Sequence, residues 1–96
     1  MKFIRILKAR LSINDKIKVY LHNIENNKDR ISVFWHLYHN QYDKQNRIAL
    51  NYGENLISFV EDKDDIVSAI LSYYIGKSED VVEIKLGRDI IYKELI

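Results

Sequence analysis

Cysteine and proline are absent from the 96 residues, and glycine occurs only three times. Without cysteine there is no disulfide, no thiolate nucleophile, no cysteine-ligated zinc and no cysteine-held iron–sulfur cluster, so stability has to come from packing. With no proline and so little glycine, turns fall to Asn and Asp, as at Asn26-Asn27 and between Asn51 and Asn55. Also lacking is a run of roughly 18 apolar residues, the length a helix needs to cross a bilayer. The start, Met1-Lys2-Phe3-Ile4-Arg5, passes directly into alternating charge and not into the apolar stretch of a signal peptide. The expectation is a cytoplasmic protein with no membrane segment. Catalytic signatures are scarce too, with no Gly-rich phosphate loop, nucleophile elbow or paired-carboxylate pattern.

What is present is ordinary globular material, 47% hydrophobic and 30% charged, enough for one core and one domain spanning residues 1–96. The abundance of Ile, Lys, Asn and Tyr is the mark of AT-rich coding sequence and not of any fold. The net charge of +1 conceals a gradient, from +5 over residues 1–30 to −4 over residues 61–96. Charges separated in this way can neutralise each other across a folded surface, and the total is too small for strong non-specific attraction to phosphate.

Two neighbouring stretches alternate strictly. As strands, Lys16 to Ile24 and Arg30 to His39 place Ile17, Val19, Leu21, Ile31, Val33, Trp35 and Leu37 on one face. The opposite face then carries Lys16, Lys18, Tyr20, His22, Ser32, Phe34, His36 and Tyr38, a mixture of cations and rings that suits neither a core nor a plain solvated surface. A hairpin joined by Glu25–Asp29, pairing residues whose numbers sum to 54, sets Ile17 against Leu37, Val19 against Trp35 and Lys18 against His36. Helical spacing can also be found within residues 14–26 and 31–42, but Val, Ile, Tyr, Phe and Trp dominate there and favour strands.

Elsewhere, Phe3 to Leu11 reads as a first strand, and Arg47 to Tyr52 and Leu56 to Val60 as two more around Gly53-Glu54-Asn55. A helix is expected over about Asp62–Ile75: Asp62 as N-cap, Asp64 and Asp65 in the first turn, an apolar stripe at Ile66, Ala69, Ile70 and Tyr73, and Gly76 as the stop. Asp80 to Leu86 and Ile90 to Leu95 form a hairpin about Gly87-Arg88, unless the last segment is a short helix. The fold class is therefore α+β, a mostly antiparallel sheet with one main helix packed on one face. Its core includes Val19, Leu21, Val33, Trp35, Ile66 and Ile70.

Candidate chemistry is thin. His36 and His39 would share a helix face but point apart on a strand, and the acidic run 61–65 is explained by helix capping, so neither a metal nor a cofactor is expected. One helix can cover one face of the sheet, which leaves the cation and aromatic face either to be closed by the sheet curling on itself or to meet a partner. The leading expectation is a small non-enzymatic accessory protein that binds a macromolecule, such as an inhibitor from a virus or mobile element. Its partner would be another protein or a second copy in a homodimer. The alternative is single-stranded nucleic acid, with bases on Tyr20, Phe34 and Tyr38, phosphates near Lys8, Arg10, Lys16 and Lys18, and His22 and His36 beside them. A third reading is a metal-free nuclease using Lys18, His22 and His36.

Overall fold

A computed structural model describes residues 16–24, 28–39, 45 and 47–94. The strand expected at Phe3–Leu11 lies outside the described residues. The elements run β1 (Lys16–Asn23), β2 (Lys28–His39), β3 (Ile48–Tyr52), β4 (Asn55–Val60), α1 (Lys63–Tyr74), β5 (Glu79–Leu86) and β6 (Asp89–Lys93). All six strands join one antiparallel sheet in the order β4-β3-β2-β1-β5-β6. The α+β class holds, both stretches that allowed a helical reading are strands where described, and the last segment is a strand.

Alternation explains the strands and fixes which way they face. Ile17, Val19, Leu21, Trp35 and Leu37 are buried on the helix side, with Val33 partly buried beside them. Ile31 shares that side but is 42% exposed at the margin. From α1, Ile66, Ile70 and Tyr74 fill the layer between helix and sheet, while Ala69 and Tyr73 are only partly buried. The stripe is therefore displaced one residue at its last turn, from Tyr73 to Tyr74.

The β1–β2 register differs from the expected one. Ile17 opposes Trp35, Lys18 opposes Phe34 and Val19 opposes Val33, so the paired numbers sum to 52. The hairpin tightens because Asn23 pairs with Lys28, and a bulge sets residues 29 and 30 of β2 against His22 alone. A shift of two residues leaves every side chain on its original face, so hydrophobic alternation could not reveal it.

Two-residue turns at Gly53-Glu54 and Gly87-Arg88 join β3 to β4 and β5 to β6; both glycines sit at positive φ, 61° and 60°, which suits glycine best. The start of α1 is closed by two bonds from backbone amides to carboxylates. Asp62 Oδ1 accepts from the Asp65 amide at 3.0 Å, and Asp65 Oδ2 accepts from the Glu61 amide at 2.8 Å. Asp62→Ala is expected to lower unfolding free energy by about 1 kcal/mol, with Asp62→Asn retaining most of it, as read by urea titration.

Trp35 is the centre of the core. Its indole stacks on Tyr52 at 4.8 Å and meets Tyr73 edge-on at 5.1 Å, and Nε1 donates to the Tyr74 hydroxyl at 3.4 Å. Burial pushes the Tyr74 phenol well above its usual range, although the bond from Trp35 works in the opposite direction. The folded state therefore keeps this proton longer than the unfolded chain does. The stability it contributes is complete below about pH 10 and is lost as pH rises further. Denaturant midpoints above pH 10 should fall less steeply in Tyr74→Phe than in the wild type; equal slopes would assign the alkaline transition to other groups.

Candidate functional site

Helix α1 covers one face of the sheet, and no described element covers the other. Residues directly opposite one another in an antiparallel pair project to the same side, so the register defines this open face strand by strand. From β1 come Lys16, Lys18, Tyr20 and His22, and from β2 Ser32, Phe34, His36 and Tyr38. The other strands extend it through Lys85 opposite Lys18, Glu83 opposite Tyr20 and Asp80 opposite His22.

The site candidates thus separate into two groups. Lys16, Lys18, Tyr20, His22, Phe34, His36 and Tyr38 share the open face; Lys8 and Arg10 lie outside the described residues. Phe34 and Tyr38 are 47% and 44% exposed, high for rings standing on a sheet. Along one strand Phe34, His36 and Tyr38 follow at intervals of about 6.6 Å, twice the rise per residue, which makes a row of three flat side chains.

Cations lie close over these rings. Lys16 Nζ is 5.6 Å from the centroid of Phe34, and Lys18 Nζ stands between two rings, 5.2 Å from Tyr20 and 5.9 Å from Phe34. Lys85 Nζ approaches Tyr20 at 5.9 Å. Toward the β4 edge the Arg47 guanidinium lies 3.6 Å over Phe59. Each such contact contributes about 0.5–1 kcal/mol at an exposed site. It also holds an ammonium group above the sheet, where an anion can reach it.

Lys85 and Arg47 with Phe59 were not among the residues the sequence singled out. Lys85 lies in the acidic final third of the chain, and only the placement of β5 beside β1 brings it under Tyr20. Named cations on this face are Lys16, Lys18, Arg47, Lys85 and Lys93, against the acids Asp80 and Glu83. The overall charge gradient concealed this local excess. Lys18 and Lys85 stand directly across from each other, an arrangement that is unfavourable for like charges.

His22 and His36 do not come together. His36 opposes Lys16, six residues from His22 along β1, which places the two imidazoles about 20 Å apart at 3.3 Å per residue. A general acid and base working on one bond need to be within hydrogen-bond reach of it, so this geometry gives the nuclease reading no paired imidazoles. Among the described residues no group of three or more His, Asp or Glu side chains is placed to hold a metal ion, and no helix is long and apolar enough to cross a membrane. No protein-family model, curated protein or solved structure matches the chain.

Proposed function

We propose that the protein is a non-enzymatic binding module and that its open sheet face takes single-stranded nucleic acid. The observation that carries this is the pairing of exposed rings with a local surplus of cations. Phe34 and Tyr38 offer flat surfaces for bases, while Lys16 and Lys18 stand within about 6 Å of the Phe34 ring centroid and Lys85 within about 6 Å of that of Tyr20, where they can meet phosphates. A phosphate lying between Lys18 and Lys85 would relieve their mutual repulsion, which gives the face a preference for anions that its apolar content alone would not.

Self-association through the same face is the weaker reading. In a two-fold dimer a patch meets its own copy, so a face whose named cations outnumber its acids would bring that surplus of positive charge against itself. A protein partner would have to bring acids and flat side chains together, as a nucleotide chain does by its covalent structure. Acting by occupancy in the cytoplasm, such a module would serve as an accessory or inhibitory protein.

The test is fluorescence anisotropy with a labelled single-stranded oligonucleotide and its duplex, alongside light scattering. The single strand should bind at low salt, lose affinity steeply as salt is added, and remain uncut, while the duplex, whose bases are already stacked, binds less well. No change in anisotropy at low salt with a folded protein would end this reading, and a concentration-dependent dimer that buries Phe34 would replace it.

A further inference from the structure

The two edges of the sheet are guarded differently. At one end, β6 carries Asp89 and Lys93 at its termini, charges of the kind that discourage a further strand from adding. At the other end, β4 is Asn-Leu-Ile-Ser-Phe-Val, six residues without a charge, and no described strand pairs with its outer side. The bulge in β4 falls at Ile57 and leaves residues 58–60 in regular pairing with Leu50, Ala49 and Ile48. Their outward N–H and C=O groups therefore continue at normal strand spacing. An uncharged strand edge that no described element pairs is a liability unless something is meant to pair with it.

Beside that edge runs a cavity of about 810 Å³. One wall is residues 57–60, four consecutive positions of β4; the other is formed by Asp65, Ser68, Ala69, Ser72 and Tyr73 of α1. The helix positions follow the i, i+3, i+4, i+7, i+8 pattern of a single face. From residue 57 to 60 the strand wall runs about 10 Å, three steps of 3.3 Å, and from 65 to 73 the helix wall runs about 12 Å, eight steps of 1.5 Å. With walls of similar length, this trough between β4 and α1 has room for a short extended backbone. The lining is small and hydroxylated along α1. Where β4 passes into the helix, Glu61 and Asp65 outnumber Arg47 and leave an excess of negative charge.

We propose that this trough is a peptide-docking site, in which an extended segment of another protein adds as a further strand to the outer edge of β4, which no described strand pairs. Main-chain hydrogen bonds to β4 supply the affinity, and alternate side chains of the peptide enter the trough beside Ser68 and Ser72. A Lys or Arg of the peptide lies at the end bearing Glu61 and Asp65. Its lining shares Arg47 and Phe59 with the open sheet face but includes none of Lys16, Lys18, Phe34, Tyr38 or Lys85.

A phage-displayed heptapeptide library panned against the full-length chain tests this. Enriched peptides should alternate apolar or small residues with polar ones and carry Lys or Arg at one end. Their synthetic forms should slow amide exchange in β4. They should lose affinity by about tenfold or more on Ser68→Trp, which fills the trough from an exposed helix position, and by up to about fivefold on Glu61→Lys. Should Ser68→Trp fail to fold by circular dichroism, Ser72→Arg blocks the same wall. Failure to enrich any sequence, indifference of the binders to both blocking variants, or protection confined to other strands would overturn the proposal. So would displacement of the peptides by a synthetic copy of residues 1–15, or by a second copy of the chain, either of which would make the occupant the protein itself.

Discussion

Trp35→Ala is expected to cost about 3–5 kcal/mol of unfolding free energy, the range for deleting a buried large aromatic. Trp35 is fully buried, and its removal also ends the stack on Tyr52 and the edge contact with Tyr73. Pairs of this kind add about 0.5–1.5 kcal/mol beyond simple burial. The Tyr74 hydroxyl, pressed into the same layer, loses the indole donor. Since a domain of this size is stable by only about 5–15 kcal/mol, about a fifth or more of the total is at stake. At about 4–8 °C per kcal/mol, melting should fall by more than about 12 °C. Trp35→Phe keeps a ring against Tyr52 and gives up a hydrogen bond that is already long, so it should cost much less. An unchanged melting temperature in Trp35→Ala would remove the aromatic cluster from its role as the centre of the core.

The second large effect concerns binding. Phe34→Ala should weaken single-strand affinity by about 1–3 kcal/mol, the contribution of one stacked base, while leaving the slope of log affinity against log salt unchanged. Lys16→Ala with Lys18→Ala should do the reverse in character, flattening the slope by about 1.4 because each neutralised phosphate on a single strand contributes about 0.7. Neither change should affect stability by more than about 0.5 kcal/mol plus the lost cation–ring contacts, because these side chains lie on the face that no described element covers. The separation of the two responses is the informative part. A ring acts through contact with a base, which salt does not screen, and an ammonium acts through displaced counterions. If Phe34→Ala and the double lysine variant gave the same response, the rings and cations would not be dividing the work as proposed.

Much of the fold could be read from the chain because its strands alternate cleanly and its helix announces both ends. Asp62 and Asp65 mark the start of α1, Gly76 marks its end with φ 76°, and Gly87-Arg88 marks the last hairpin. Register was a different matter. A period of two assigns faces but leaves any shift of two residues undetermined, and the bulge at residues 29–30 was enough to move Trp35 from Val19 to Ile17. Strand order was also hidden, since nothing in the local pattern says that β5 returns across the sheet to lie beside β1. Everything that depends on that placement was hidden with it: Lys85 over Tyr20, the nearly buried Glu83 on the open face, and the local surplus of cations in a chain of net charge +1. The Tyr52, Tyr73 and Tyr74 group around Trp35 could not be foreseen for the same reason, since it gathers residues from β2, β3 and α1.

The open face and the core hold separate sets of rings, and this allows one decisive measurement. Aromatic carbon–proton signals of the wild-type protein can be followed by nuclear magnetic resonance as a single-stranded oligothymidylate is added. Phe34 and Tyr38 should shift in proportion to saturation as bases stack on them, with Tyr20 following as Lys18 and Lys85 turn toward phosphate. Trp35 and Tyr74, on the helix side of the same strands and layer, should not move. Shifts confined to Tyr73 and its neighbours along α1, or no shift in Phe34 and Tyr38 at full saturation, would contradict the assignment of the open face as the binding surface.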